Sequence, residues 1–352
     1  MLQKKIHPII FEDIDEITSY NLDWDKFKNK TILISGINGF LASYLAFTFL
    51  HLNEKYNSNC TIIGVARNRN KLEAKFGDLL NRKDFKYIVT DVCEKINFDQ
   101  KIDFIIHTAS QSSPKYYSID PVGTLNANVL GTNNLLLLAK ENNIDSFLYF
   151  SSGEVYGDVD DSMVPTKEDQ YGYLNPLDYR SCYAESKRLA ETMCISWLHQ
   201  FNIPVKIVRP FHTYGPGIDL NDGRVYADFI SDILNNRDII LKSKGTKRRA
   251  FCYISDATKG FLSVLIKGIN GKAYNVGNSN AEVSIFDLAQ NLCTLFPEKK
   301  LKVVIAENLK NINYIESPIQ RNCPDTSSIN NLGWFATTSI NEGFKRTVKS
   351  FL

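Results

Sequence analysis

The sequence predicts an α/β fold, in which a doubly wound parallel sheet is joined to a smaller α/β domain after it. Three observations lead there. Short runs of β-branched and apolar residues alternate with longer segments of helical periodicity. The short runs are apolar throughout, which is the pattern of strands buried on both faces. A glycine turn joins the first strand to the first helix, where a βαβ unit needs its tightest bend.

The elements follow in order. Residues 1 to 28 read as a polar extension with a short helix near Glu12 to Ser19. Thr31 to Ser35 is the first strand, and Leu41 to Leu50 the apolar helix after it. Thr61 to Val65, Phe85 to Val89 and Phe104 to His107 continue as strands. Thr124 to Glu141 has helical spacing through Leu125, Val129, Leu130 and Leu135 to Leu138. Phe147 to Phe150 is a strand, Tyr183 to Trp197 a helix and Val205 to Val208 a strand. From Pro210 onward the signals are shorter and the loops more polar. The expected division is an extension (1–28), a sheet domain (29–208) and a second domain (209–352) with segments that return to the first.

Composition narrows the function. The 352 residues are 43% hydrophobic, enough for a substantial core. Lys+Arg of 41 against Asp+Glu of 39 leaves a formal charge of +2, without the basic excess of a nucleic-acid binder. The local basic cluster from Lys244 to Arg249 suits a small anion. Seven cysteines without a CxxC pair predict neither a disulfide framework nor a metal site. Reduced thiols and an N-terminus without an apolar signal core point to the cytoplasm. The apolar stretch after Phe40 carries Ser43, Tyr44, Thr48 and His51, which is too polar for a membrane span.

The turn Ser35-Gly36-Ile37-Asn38-Gly39-Phe40-Leu41-Ala42 carries the first chemistry. Gly36 permits the bend, and Gly39 lets backbone N–H groups approach a pyrophosphate. The helix beyond supplies partial positive charge. Gly36, Asn38, Gly39, Phe40 and Leu41 are therefore expected to hold a dinucleotide on a Rossmann-type domain. Where an acid would bind the adenosine 2′-hydroxyl, the second strand ends instead in Arg67. An arginine there either pairs with a 2′-phosphate or stacks on the adenine, so the cofactor is NAD or NADP with a slight lean to NADP. Asp91, after the third strand, is either a partner of the adenine amine or a loop cap.

Tyr183-Ala-Glu-Ser-Lys187 sets a phenol and an ammonium four residues apart on one helix face. Lys187 is expected to acidify the phenol by charge and to hold the nicotinamide ribose. Tyr183 would then take a proton from a sugar hydroxyl. Ser151 and Ser152 end the preceding strand, and Ser152 is the candidate to share that proton.

With these residues in view the chain resembles the extended short-chain dehydrogenases/reductases of the nucleotide-sugar epimerase, dehydratase and decarboxylase group. The stretches that carry the resemblance are the glycine turn, His107 to Ser110, Asn128 to Thr132, Ser151 to Gly157, Tyr183 to Lys187, Arg209 to Pro216, Arg249 to Asp256 and Tyr274 to Gly277. It implies a tightly held nicotinamide cofactor, transient oxidation of the sugar at C4, and a homodimer built on helices near 124–141 and 183–200. It further implies cofactor contacts at Val92, Thr108, Ala109, Ser110, Asn128, Pro210 and His212. Substrate contacts are implied at Ser112, Tyr117, Glu154, Arg180, His212, Arg224, Val225 and Arg249.

Ala109 to Tyr117, Asn175 to Tyr183, Ala190 to Cys194 and Asn221 to Val225 look most like UDP-glucuronate decarboxylases. Glu154 would then manage the C5 proton, and Arg224 and Arg249 would clamp diphosphate or carboxylate oxygens. Three residues depart from that pattern. Gly153 stands in place of a serine, and His212 and Gly217 in place of an asparagine and an arginine. The alternatives left open are C4, C3 or C5 epimerisation, 4,6-dehydration, an NADPH-consuming keto-sugar reductase and a non-catalytic dinucleotide-binding regulator. Gly153 counts against dehydration, which needs an acid beside Glu154. His107 is expected to be structural, and His212 either faces the sugar or packs.

Overall fold

The computed structural model describes residues 1–306 and 319–352. In chain order the strands are β1 (Thr31–Ser35), β2 (Thr61–Ala66), β3 (Phe85–Val89), β4 (Phe104–His107), β5 (Ser146–Phe150), β6 (Val205–Pro210) and β7 (His212–Tyr214). Then come β8 (Ile239–Leu241), β9 (Arg248–Tyr253), β10 (Ala273–Val276), β11 (Glu282–Ser284), β12 (Val303–Ile305) and β13 (Arg321–Asn322). The helices are α1 (Pro8–Ser19), α2 (Phe40–Tyr56), α3 (Arg69–Phe76), α4 (Pro114–Ile119), α5 (Pro121–Asn142) and α6 (Cys182–Phe201). They continue as α7 (Val225–Leu234), α8 (Ile254–Lys267), α9 (Ile285–Leu295), α10 (Ser327–Asn330) and α11 (Ile340–Lys349).

Among the described residues, seven strands form one sheet in the order β10-β6-β5-β4-β1-β2-β3. Each neighbouring pair is parallel, and β1 pairs β2 from Thr31 with Thr61 to Ser35 with Val65. The doubly wound α/β expectation is borne out. The chain winds outward from β1 to β3, then restarts on the other side at β4. That reversal between β1 and β4 opens a crevice beyond their carboxyl ends, where ligands of such sheets bind.

Both faces of the sheet are covered, which is why its strands are apolar without alternation. One face packs Ile32, Ile34, Ile62 and Phe104 against α2 and α8, and the other packs Leu33, Ile63, Ile105 and Phe147 with α5 and α6. Helix α2 is buried on nearly its whole circumference, from Ala42 to Leu52. It lies between the sheet, α1 and α8, so it can carry few polar groups. The second part of the chain builds a small sheet in which β9 pairs β7, β11 and β13, and a separate β8–β12 pair. Helix α8 and strand β10 return to the main sheet, so the second part is anchored to the first.

Candidate active site

A cleft of about 1200 Å³ runs over the carboxyl ends of the main strands, between the glycine turn and the small sheet. The turn is built as the residue types require. Gly36 has φ +67, and a Cβ there would stand 2.8 Å from Ala109 Cα, closer than real Cβ atoms approach. Ile37 N–H donates to Val65 O at 3.1 Å, pinning the turn to β2, and Gly39 caps α2. The first turn of α2 therefore opens on the cleft with its N–H groups unused by its own helix.

Ser35 holds the neighbouring loop. Its Oγ accepts from Thr108 N at 3.2 Å and Ala109 N at 3.1 Å, while Thr108 Oγ1 donates to Ser35 O at 2.5 Å. The same hydroxyl bonds His107 Nδ1 at 2.8 Å, and His107 Nε2 bonds Thr132 Oγ1 at 3.0 Å. Burial, with Lys187 nearby, pushes the His107 pKa well below the usual histidine range, so the ring is neutral. His107 is thus a tie between the sheet and α5.

From Thr132 the chain of bonds reaches α6, the helix that carries Tyr183. Thr132 Oγ1 donates to Asn128 O at 2.5 Å, Asn128 Nδ2 donates to Ser186 Oγ at 2.9 Å, and Ser186 Oγ donates to Tyr183 O at 3.0 Å. Asn128 is a correction to the expected cofactor contacts. It is fully buried between α5 and α6 and does not line the cleft. Its Nδ2 helps hold the helix that carries Tyr183, while its Oδ1 is buried without a partner among the described residues.

Every other predicted site residue lines the cleft: Gly36, Asn38, Gly39, Phe40, Leu41, Arg67, Asp91, Val92, Thr108, Ala109, Ser110, Ser112, Tyr117, Ser152, Glu154, Arg180, Tyr183, Lys187, Pro210, His212, Arg224, Val225 and Arg249. Ser152 caps the short helical turn Gly153–Tyr156, its Oγ accepting from Glu154 N at 3.1 Å. That bond orients Glu154 beside the serine. A Cβ on Gly153 would lie 3.2 Å from the Phe211 ring, so the position lacking a hydroxyl is roofed by an aromatic residue.

Lys187 donates to Phe150 O at 2.7 Å and is fully enclosed, and burial pushes its pKa down to about 7. For Tyr183 burial is the largest influence and pushes the phenol up; Ser152 and Arg224 oppose it. This differs from the expected acidification by Lys187. Lys187 Nζ lies 5.8 Å from the Tyr183 ring centre but is turned to a backbone carbonyl at the end of β5, and the largest influences opposing burial are the serine and the arginine. Tyr117 stacks on Tyr183, with ring centroids 5.2 Å apart and planes 17° apart, and its hydroxyl donates to Ser112 O at 3.0 Å.

The arginines are mounted differently. Arg224 donates from Nη2 to Ser112 O and Oγ at 3.3 Å, and its Nε lies 3.2 Å from Asp222 Oδ2. Arg249 donates to the carbonyls of Arg248, Ile319 and Gln320 at 2.8 to 3.1 Å, which fixes its guanidinium at the cleft wall. His212 sits near both. Its Nδ1 is buried without a partner among the described residues, and burial with the two arginines keeps the ring neutral. At the other end Arg67 Nη1 lies 4.0 Å from Asp91 Oδ2, so the two candidates for the adenosine end form an exposed pair. The sequence reading missed Asp222, Lys71 and Lys75, which also line the cleft. Nothing in their local sequence distinguishes them from surface charge. It also missed the purpose of Arg209, which is buried and held by Glu191 through two bonds of 2.9 and 2.6 Å. That pair locks β6 to α6.

The residues fit a nicotinamide dinucleotide. The glycine cradle has no room for a Cβ, α2 points its N-terminus at it, and Ser110 Oγ and Ser151 Oγ are buried at the cleft without partners among the described residues. The sequence agrees, because the NAD-dependent epimerase/dehydratase family matches residues 32–277. The chain belongs to that family.

The family's fold and its enzymes surround this chain on both kinds of comparison. UDP-glucuronic acid decarboxylase 5 of Arabidopsis thaliana is 34% identical over 324 residues, covering 92% of this chain and 89% of the plant protein. The UDP-glucuronic acid 4-epimerase of Bacillus cereus, solved with UDP-glucuronic acid and NAD, superposes with a TM-score of 0.76 at 24% identity, over 91% of this chain and 98% of its own. A dTDP-glucose 4,6-dehydratase from Streptomyces venezuelae gives 0.76 at 21%, over 91% and 96%. The resemblance drawn from the motifs is borne out, and the chain is an enzyme of this family. Among the described residues no helix is long and apolar enough to cross a membrane.

Proposed function

We propose that the enzyme converts one nucleotide-sugar into another through transient oxidation of the sugar at C4, and that it decarboxylates UDP-glucuronate. The observation that carries this reading is the convergence of Tyr183, Ser152 and Glu154 on the same cleft as the glycine cradle and the arginines Arg180, Arg224 and Arg249. The decarboxylases among the relatives support the choice of substrate.

The dinucleotide would lie against Gly36 to Leu41, Thr108 to Ser110 and Lys187, and its nicotinamide when bound supplies an acceptor and later a donor of hydride at C4. Tyr183 takes the C4 hydroxyl proton, with Ser152 sharing the hydrogen bond to that oxygen. The C5 carboxylate then stands β to a carbonyl. Its C–C bond breaks, CO2 leaves, and the electron pair passes into the carbonyl to give an enolate. Glu154 handles the proton that C5 regains, and Tyr183 returns its proton to the C4 oxygen. Arg224 and Arg249 hold diphosphate or carboxylate oxygens, with Arg180, Ser112, Tyr117, Val225 and neutral His212 shaping the sugar pocket. At Gly153 there is no acid to protonate a leaving hydroxyl, which disfavours dehydration.

The choice of dinucleotide rests on Arg67. Its charge favours a 2′-phosphate, while Asp91 takes part of that charge, so the preference for NADP over NAD is narrow. Comparing the affinity of both cofactors in Arg67→Ala tests it, with the NADP affinity falling more. A homodimer through α5 and α6 is supported by outward leucines on both helices, such as Leu130 at 48% and Leu189 at 49% exposure. Light scattering of Leu130→Glu should then report a monomer. The seven cysteines are free, in keeping with a cytoplasmic site of action.

The test is a panel of UDP-, GDP-, CDP- and dTDP-sugars followed by mass and NMR. Loss of CO2 from UDP-glucuronate supports the proposal. Loss of water, or a new isomer of equal mass, would replace it by dehydration or epimerisation.

A further inference from the structure

The segment before the family match, residues 8–19, is tied to both sides of the cleft. Asp13 on α1 has no exposure, yet it accepts bonds from three elements. Tyr44 OH on α2 donates at 2.9 Å, Tyr253 OH at the end of β9 at 2.9 and 3.1 Å, and Arg346 Nη2 on α11 at 2.8 Å. Arg346 closes the cluster by donating from Nε to Tyr253 OH at 3.1 Å and by pairing with Glu12 at 3.1 Å. One turn on, Glu16 holds Lys259 at 2.8 Å, and Lys259 holds Asp256, which accepts from the backbone of Thr337 and Thr338 ahead of α11.

We propose that Asp13 is a positioning residue for cofactor binding: through Tyr44 it sets the dinucleotide helix α2 against the sugar-side elements β9 and α11, and so sets the width of the cleft. Tyr44 lies one turn beyond Phe40, a cleft residue, and the two rings meet edge to face at 6.1 Å. Ile10 on α1 reaches the opposite wall, where a Cβ on Gly217 would meet its Cδ1 at 3.7 Å. Helix α1 thus touches a helix that would carry the pyrophosphate and a loop that lines the sugar side. If adhesion were all that was needed, an apolar residue at position 13 would serve as well or better. A carboxylate with both oxygens bonded to separate elements fixes their mutual angle as well. Burial raises the Asp13 pKa to about 6, which shows that the carboxylate is held there at a cost.

This inference rests on the reading of the cleft as a dinucleotide site, and the experiment separates the two. Release of NADH from the full-length enzyme is followed by fluorescence, beside the melting temperature of each variant. Asp13→Asn keeps the volume but puts an NH2 group where one carboxylate oxygen accepts from two donors. Asp13→Asn is expected to release NADH about tenfold faster at temperatures where it remains folded, and Tyr44→Phe to change in the same direction by less. Lys55→Ala, which removes an exposed pair with Asp15 on the same helix, is expected to leave release unchanged. Wild-type release rates in both Asp13→Asn and Tyr44→Phe would overturn the proposal, whatever their melting temperatures. If Asp13→Asn does not fold, Tyr44→Phe decides. Failure of the wild-type enzyme itself to bind either dinucleotide would instead overturn the reading of the cleft.

Discussion

Tyr117 lies flat against Tyr183, with ring centroids 5.2 Å apart, and its hydroxyl is held by Ser112 O. The Tyr183 phenol is therefore covered on one side by a second aromatic ring carried on α4. The ring packs against Tyr183 while the phenol oxygen is hydrogen-bonded by Ser152.

The first expectation follows from that contact. Tyr117→Ala should lower kcat/KM about tenfold, near the upper end of what an aromatic pair contributes. Tyr117→Phe keeps the ring and should stay within about threefold. Dinucleotide affinity should be unchanged in both. Steady-state kinetics beside a cofactor titration checks this, and equal losses in the two variants would assign the effect to the hydroxyl instead.

Lys187 gives a pH dependence with a definite sign. Its pKa is about 7 in the folded protein against 10.5 as the ordinary value. Between those values the unfolded chain binds the proton and the folded chain does not, so stability from this group rises with pH. The penalty is fully present below pH 7 and fades by about 10.5. The slope approaches about 1.4 kcal/mol per pH unit within the window. Lys187→Met removes it. Denaturant unfolding at pH 7, 8 and 9 should show the mutant's advantage in stability shrinking as pH rises. A constant difference across that range would mean that the ammonium stays charged in its pocket.

Gly36 and Gly77 separate strain from contact. Both have positive φ, +67 and +47, but a Cβ on Gly36 meets Ala109 at 2.8 Å while one on Gly77 meets nothing within 4 Å. Each alanine variant should lose about 1–3 kcal/mol of stability from the backbone alone. Gly36→Ala should in addition weaken dinucleotide binding by at least about tenfold, because the Ser35 to Ala109 loop must shift. Calorimetric titration with NAD distinguishes the two, and equal affinities would remove the glycine turn from the binding site.

These sites differ in how far the sequence could reveal them. The main strands were legible because burial on both faces writes an unbroken apolar run, and the glycine turn because few residues other than glycine adopt that backbone. Tyr183 and Lys187 were legible because both partners lie within one helical turn. Helix α3 was not, since Leu72 and Phe76 are its only buried side chains and the rest is mostly charged. Asn128 was placed in the cleft because it sits in a motif with cofactor contacts, yet its amide faces α6. Asp13 lies in the segment read as a polar extension and was not singled out. Its partners lie 31, 240 and 333 residues away, so no local pattern could mark it as buried. The position of Lys187 was likewise readable while its effect was not, because the carbonyl of Phe150 that holds it belongs to another element.

The most direct measurement uses UDP-glucuronate carrying deuterium at C4, incubated with purified enzyme and no added reductant, and read by mass spectrometry. The expected product has lost CO2 and kept the deuterium at C4, with no turnover in Tyr183→Phe. A decarboxylated product without deuterium, or full turnover in the phenylalanine variant, would contradict hydride recycling at C4 driven by Tyr183.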